Sequence, residues 1–352
     1  MAKHRAPDHR GSDAPAEVTL ARAAEALEGL GFEPLQRPDR LVVSAYAYIA
    51  TVWESFDAPL SLVVDCSQRI PVEFERAGEL AAFLNTWNHD RIGPVASAHL
   101  MDTGDFEVHL RASVRTKHGL NDDQLASELA DCMEYCAAFS VELRSRLVPP
   151  EWDHPLPPPL SRAQDAEALL GRHPSERHLP RGGEAEVFEA PDSFAGPSGD
   201  QRDIVRAVEL ARLEEAFDLL DFSYGLTPQD VIATGVNGVP FAACLDGDAG
   251  HRYARVTAMW DADVPADRGF MPLWLMCNDF NEQAVGVRTY LHEFAGDLHL
   301  HAESTVLASA GLSDDQLNAF VVTSLVSILG AVDAISTECD GTSVVNWPSS
   351  SS

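Results

Sequence analysis

The feature that most constrains the fold of this chain is an internal repeat. Residues 118–125 read HGLNDDQL, and residues 310–317 read AGLSDDQL. In each stretch an Asn or Ser stands three residues before a Gln, which is the order of a helix N-cap with a capping box. The two aspartates between them place negative charge at the positive end of a helix dipole. We therefore predict that each copy opens a helix, and this structural role accounts for the paired aspartates.

The similarity extends beyond these caps. Apolar residues follow each cap at spacings of three and four, which predicts one long amphipathic helix in each copy. A second pair of helices is predicted where Trp87 and Phe280 end matching apolar patterns, and we expect Trp87 to pack in a core. Asparagines recur in the last turn of this pair, where Asn helps a helix to end. They are Asn85, Asn88, Asn278 and Asn281.

Alternating apolar and polar residues predict the strands. A hairpin lies between the two helices of each copy, and three further strands precede the first of them. Each copy therefore reads α-βββ-α-ββ-α. This predicts an α+β fold with a five-stranded, mostly antiparallel sheet and helices on one face.

Composition shifts along the chain suggest its domain boundaries. We expect a disordered tail at 1–15, a first domain at 16–148 and a second domain at 203–339. Prolines crowd the acidic stretch between the domains, so 149–202 is interpreted as a linker, and 340–352 as a Ser-rich tail.

Charge and cysteine content narrow the functional classes. Asp and Glu total 55 against 25 Lys and Arg, for a formal net charge of -30. Such a surface repels phosphate backbones and anionic lipid heads, so nucleic acid and membrane surfaces are not expected partners. The stretch 320–335 is interrupted by polar residues and is predicted to be a buried helix. No secretory signal and no disulfide framework are evident, which favours a cytoplasmic location.

The sequence contains no motif of a known catalytic class. Phosphate-binding loops, nucleophile elbows and HExxH or CxxC metal motifs are absent, so we predict a protein that is not an enzyme and has no cofactor. His299, His301 and Glu303 alternate on one strand, and His292 lies on its predicted hairpin partner. They are compatible with zinc, but the polar face of a half-buried strand explains them without a metal. Cys132 and Cys136, one helical turn apart, are likewise expected to pack in a core.

Aromatic residues supply the candidate binding site. Residues 41–53 are apolar or small on both faces, although a sheet covered on one side should show a polar second face. The cover could be the other repeat, a second chain or a bound peptide. The predicted peptide-binding residues are Tyr46, Tyr48, Trp53 and Trp260.

Several of these motifs resemble those of the YbjN-type domain. They are LNTWN at 84–88 with the hairpin after it, GLNDDQL at 119–125, CNDFN at 277–281 and GLSDDQL at 311–317. The resemblance covers 17–147 and 204–337. It implies the fold of type III secretion chaperones and a non-enzymatic, peptide-binding protein of a kind often described as a regulator. It also implies that two fused copies form an internal pseudo-dimer, and it supplies no catalytic residues.

These observations lead to one main hypothesis and two alternatives. The main one is a cytoplasmic, chaperone-like or regulatory protein that binds a protein or peptide, with a homodimer as an alternative to the internal pseudo-dimer. The second is a regulatory scaffold that recruits its partner through the linker. The third is a metal-dependent enzyme built around His299 and His301.

Overall fold

A computed structural model of the chain describes residues 14–56, 60–70, 72–148, 204–248 and 250–347. The interpretation of 149–202 as a linker therefore lies outside the described residues. The same holds for most of the tail predicted at 1–15 and for the end of the tail predicted at 340–352.

The first half consists of three helices, six strands that follow one another across a sheet, and one short extra strand. The elements are α1 (Leu20–Gly29), β1 (Leu35–Gln36), β2 (Leu41–Ser44), β3 (Tyr48–Ser55), β4 (Ser61–Gln68), β5 (Val72–Glu73), α2 (Ala77–Asp90), β6 (Val95–Leu100), β7 (Asp105–Arg115) and α3 (Asp122–Leu147). A single 3-10 turn, Phe74–Arg76, leads into α2.

The second half has the same order of elements, except for one strand. They are α4 (Leu210–Asp218), β8 (Tyr224–Leu226), β9 (Ile232–Val236), β10 (Val239–Asp246), β11 (Tyr253–Pro265), α5 (Ala266–Gln283), β12 (Arg288–Phe294), β13 (Asp297–Leu307) and α6 (Asp314–Asp340). In this half β11 leads directly into α5, without a counterpart of β5.

The two long helices begin at the predicted caps. Asn121 Oδ1 accepts the backbone N–H of Gln124 at 2.8 Å, and Gln124 Oε1 accepts the N–H of Asn121 at 2.9 Å. Ser313 and Gln316 make the same reciprocal pair. Both capping boxes are thereby confirmed, and each satisfies two backbone donors that the first turn of a helix leaves open.

A glycine two residues before each N-cap lets the first segment of that half approach the start of its last helix closely. Gly119 has a φ of +68°, and a Cβ there would lie 2.5 Å from the carbonyl oxygen of Ala16. Gly311 has a φ of +80° and would meet the carbonyl of Arg206 at 2.6 Å. Because only glycine tolerates both the conformation and the contact, each half closes its first segment onto its last helix in the same way.

Both sheets are antiparallel and have the same strand order. The first runs β1-β2-β3-β4-β7-β6, with β5 pairing the far end of β7, and the second runs β8-β9-β10-β11-β13-β12. The α+β prediction is confirmed, but five strands per sheet was too few. The short strands β1 and β8 add an edge strand to each sheet, and two or three residues are too few to show an alternating pattern in the sequence.

Strand β3 is buried on both faces, as its composition suggested. Tyr48, Ala50 and Val52 belong to the main core, whereas Ile49 packs with Val42 on the opposite face. Thr51 and Trp53, on that same opposite face, are buried too.

The main hydrophobic core continues across both halves. Leu273, Trp274 and Leu291 of the second half lie in one cluster with the buried residues of α1, α2 and α3. Trp87 is buried there and meets Phe139 edge-on, with ring centroids 4.8 Å apart. Cys132 and Cys136 are buried in the same cluster as free thiols, so their packing role is confirmed.

Among the described helices, α6 alone is long and apolar enough to cross a membrane by length and hydropathy. Its apolar side chains, including Phe320, Leu325 and Ile328, lie in the core of the second half. This burial agrees with the predicted core helix.

Candidate functional site: an internal interface and an apolar groove

Two asparagines join the halves through equivalent contacts. The side chain of Asn85 on α2 donates to the Leu291 carbonyl at 2.9 Å and accepts its N–H at 2.8 Å. Asn278 on α5 does the same with Ala98, at 2.8 and 2.9 Å. Each helix thus binds an edge strand of the opposite half, β12 or β6, as expected of two subunits around a two-fold axis.

The next asparagines along these helices act within their own half. Asn88 bonds both backbone groups of Ala96, and Asn281 bonds both backbone groups of Thr289. The prediction that these four asparagines help to end their helices was therefore wrong. Their amides fasten helices to strands, and two of the four act across the interface.

The two capping boxes also touch each other. Gln124 Nε2 donates to the Gly311 carbonyl at 2.8 Å, and Gln316 Nε2 donates to the Gly119 carbonyl at 2.7 Å. The two side-chain amides are themselves 2.9 Å apart. Each glutamine therefore serves both the cap of its own helix and the loop of the other half. Gln124 is also buried.

A buried ion cluster lies on the second face of the first sheet. Asp65 accepts from His109 at 2.9 Å and from Arg111 at 2.8 Å. Burial alone would raise the pKa of Asp65, but the two cations hold it well below its usual range. Burial alone would lower the pKa of His109, but Asp65 and Glu107 raise it to about 9. Arg111 also donates to the Glu282 carbonyl at 2.5 Å, which links the cluster to α5.

The corresponding strand face in the second half has a different charge pattern. Glu303 pairs with Arg288 and accepts from the Tyr290 hydroxyl at 3.2 Å. His301 stacks on Tyr290, and its buried Nε2 has no hydrogen-bond partner among the described residues. Burial, with His292 and His89 nearby, lowers the pKa of His301 to about 4.

This geometry does not support the alternative of a metal-dependent enzyme built around His299 and His301. Glu303 is engaged by Arg288, and the His299 ring meets Phe294 edge-on. Within the part of the chain that the structure describes, no three His, Cys, Asp or Glu side chains are arranged to hold a metal ion.

A buried arginine completes the interface. Arg115 donates to Thr323 at 2.5 Å and to Ser304 at 2.8 Å, and its guanidinium lies over the ring of Phe320. Burial lowers the pKa of Arg115 to about 10 and raises the pKa of its neighbour Glu128 to about 8. Two elements of the second half, α6 and β13, are therefore contacted by one side chain of β7.

An apolar groove opens on the first half, away from this interface. It has a volume of about 990 Å³ and runs between α3, the end of α1 and the turn from β2 to β3. This size falls within the usual range of ligand pockets, ~300–1,000 Å³. Its lining includes Leu30, Phe32, Tyr46, Tyr48, Met133, Val141 and Arg144.

The equivalent position on the second half is filled by the chain itself. After α6 ends, residues 344–347 return along it to the turn between β9 and β10. Asn346 N–H donates to the Asn237 carbonyl at 2.8 Å, and Val344 N–H donates to Ser336 Oγ at 3.3 Å. The Trp347 indole donates to Asp333 at 3.0 Å, and Val345 is buried in the second core.

Strand register and the capping boxes define which positions of the two grooves correspond. Counting from Asn121 and Ser313, Val141 corresponds to Asp333 and Arg144 to Ser336. Counting from the paired strands, Tyr46 corresponds to Asn237 in the hairpin turn. Three residues of the open groove thus occupy the positions that hold the chain segment in the filled groove.

The structure separates the four predicted binding residues. Tyr46, 50% exposed, and Tyr48, 4% exposed, both line the groove, and the Tyr48 hydroxyl donates to the Met133 carbonyl at 3.3 Å. Trp53 is buried in β3 and does not line the groove. Trp260 is half-buried on β11 and packs against both cores.

Sequence reasoning missed the contribution of α3. Val141 is 71% exposed, and Arg144 has no ion-pair partner among the described residues. A signal was present, because Val141 lies off the apolar stripe of the helix and an exposed valine disfavours helix formation slightly.

The family-model comparison concerns the second half. Residues 209–336 match the YbjN family model, described as "Putative bacterial sensory transduction regulator". Among solved structures, YbjN from E. coli, described as "a putative transcription regulator", aligns with 18% identity and a TM-score of 0.32, over 40% of this chain and 98% of that one. No curated protein matches. The family-model match therefore lies within the second half and covers less than half of the chain.

Proposed function

We propose that this chain is a non-enzymatic, cytoplasmic regulatory protein that binds an extended apolar segment of a partner protein. In this proposal two YbjN-like copies form an internal pseudo-dimer, and the groove beside Tyr46 and Tyr48 is the binding site. The description of the matching family as a regulator supports the general class.

One observation carries the proposal. The groove of the second half holds a short stretch of chain through backbone and side-chain hydrogen bonds, with Val345 buried. The groove of the first half has corresponding walls, and no described residue fills it. A surface of this shape therefore suits extended polypeptide with apolar side chains.

The lining of the groove favours binding over catalysis. Its walls are mostly apolar, and the Ser140 hydroxyl is hydrogen-bonded to Gln68 and to the Cys136 carbonyl rather than to a general base. A nucleophile needs an adjacent base to react at neutral pH, and Ser140 lacks one.

A synthetic peptide tests this function. The probe has the sequence of residues 342–348, TSVVNWP, acetylated and amidated so that its ends carry no charge. We expect saturable binding to the full chain in isothermal titration calorimetry. Ala137→Glu should weaken it at least about tenfold, because Ala137 lines the groove and a carboxylate there would be desolvated against apolar peptide side chains.

Ala138→Glu is the matched control, since Ala138 is exposed on the same helix but does not line the groove. Its affinity should stay at the level of the unmodified chain. If the peptide binds equally well to all three proteins, or to none, the groove is not the binding site.

A further inference from the structure

The two grooves differ at the positions that contact the bound segment. In the filled groove, Asp333 accepts the indole N–H of Trp347 and Ser336 accepts the N–H of Val344. In the open groove the corresponding residues are Val141 and Arg144, an apolar surface and a cation. Two hydrogen-bond acceptors are thus replaced by groups that cannot accept a hydrogen bond.

The charge of Arg144 is unusual in its setting. The chain has a net charge of -30, and the neighbouring Arg146 is paired with Glu142 at 2.8 Å. Arg144 has no such partner among the described residues, and it stands on the wall of a mainly apolar groove. A guanidinium there favours a carboxylate, which it can bind through two parallel hydrogen bonds.

We propose that the open groove selects a partner segment with one acidic residue followed, three positions later, by an aliphatic residue. The acidic side chain would pair with Arg144 where Val344 stands in the filled groove. The aliphatic side chain would pack on Val141 where Trp347 stands. This inference rests on the proposed function and specifies the chemistry of its partner.

The overall negative charge does not prevent such recognition. At about 0.15 M salt the Debye length is about 8 Å, so distant carboxylates are screened while a direct pair with Arg144 is not. We therefore expect slower association at low salt but a retained preference at moderate salt.

The test compares two peptides on the full chain by calorimetry in about 0.15 M salt. One is the TSVVNWP probe, and the other carries Val344→Glu and Trp347→Leu, both with blocked ends. The acidic peptide should bind about 10- to 100-fold more tightly, the range expected for a hydrogen bond to a charged group. Arg144→Gln should abolish this preference, and Arg144→Lys should keep part of it.

Arg146→Gln is the matched control and should change neither affinity. The double variant Val141→Asp, Arg144→Ser reproduces the contacting residues of the filled groove and should reverse the order of the two peptides. Such a reversal cannot come from a loss of folding.

Other outcomes overturn the proposal. If Ala137→Glu weakens TSVVNWP binding but the acidic peptide gains nothing, the chemistry inferred for the partner is wrong while the proposed function stands. If neither peptide binds, both fail. If the groove is filled by a second copy, sedimentation would show a concentration-dependent dimer that Ala137→Glu disrupts, and peptide selection is then also wrong.

Discussion

Equivalent histidines in the two halves have opposite electrostatic surroundings. His109 lies between Asp65 and Glu107, which raise its pKa to about 9. His301 lies between Tyr290 and other histidines, and burial lowers its pKa to about 4. His109 is therefore charged and His301 neutral at pH 7.

These shifts predict how stability depends on pH. An unfolded His titrates near 6.5, so between pH 6.5 and 4 the unfolded state binds a proton that folded His301 does not. Stability should fall as the pH is lowered through this window. His109 acts in the opposite sense, because its contribution is complete below pH 6.5 and is lost as the pH rises towards 9.

Replacing His301 by Phe should flatten the acid side of this profile. The ring keeps its stacking on Tyr290, loses an unpaired nitrogen and no longer titrates. We expect the loss in unfolding free energy between pH 7 and pH 4.5 to shrink by about 2 kcal/mol, measured by urea unfolding.

His251→Gln serves as the control, since His251 is largely exposed and remote from the cluster. It should leave the acid-side slope unchanged. If His301→Phe leaves the acid-side slope as steep as in the unmodified chain, burial does not lower the pKa of His301 and the prediction is wrong.

The alternation of residues 299, 301 and 303 could be predicted from sequence, but the role of each side chain could not. Glu303 meets Arg288 because those residues face each other in the β12–β13 register. The first copy was no guide to these roles, because the equivalent pair in its hairpin is Val95 and Arg111.

At the scale of elements, the long helices and hairpins could be predicted because each carries a strong local pattern. The roles of Asn85 and Asn278 could not, since their partners belong to the opposite half. A residue that bonds a distant backbone leaves no periodic signal in its own helix.

Mutation of the capping-box residues tests whether the glutamines also stabilise the interface between the halves. Asn121→Ala should remove one side-chain cap and cost about 1 kcal/mol. Gln124→Ala should cost more, about 2–3 kcal/mol, because it also leaves the Gly311 carbonyl and Gln316 without a buried partner. Both values are read from urea unfolding at pH 7.

A double-mutant cycle separates the cap from the interface. Gln124→Ala and Gln316→Ala should show a coupling energy of at least about 0.5 kcal/mol, because the two amides touch. Strictly additive costs would mean that each glutamine serves its own helix alone.

For the whole molecule, the repeat predicted two similar folds but not how they meet. The contact depends on α2 and α5, whose apolar patterns resemble those of ordinary core helices. Only the structure shows that Leu273 and Trp274 enter the core of the first half. Sequence could therefore identify the fold and two residues of the groove, whereas its α3 wall and the interface required three-dimensional contacts.

A shared core predicts that neither half is stable alone and that the two reassemble. Residues 14–148 and 204–347, produced as separate polypeptides in one cell, should co-purify in a one-to-one complex, because each half would otherwise expose the apolar face of α2 or α5.

Changing both Asn85 and Asn278 to Ala should weaken the complex about 10- to 100-fold, since four buried backbone groups lose their partners. Asn88→Ala removes bonds inside one half and should lower its melting temperature with a smaller effect on association. Two halves that fold separately and remain apart at micromolar concentration would instead mean that the interface is a weak contact between independent domains.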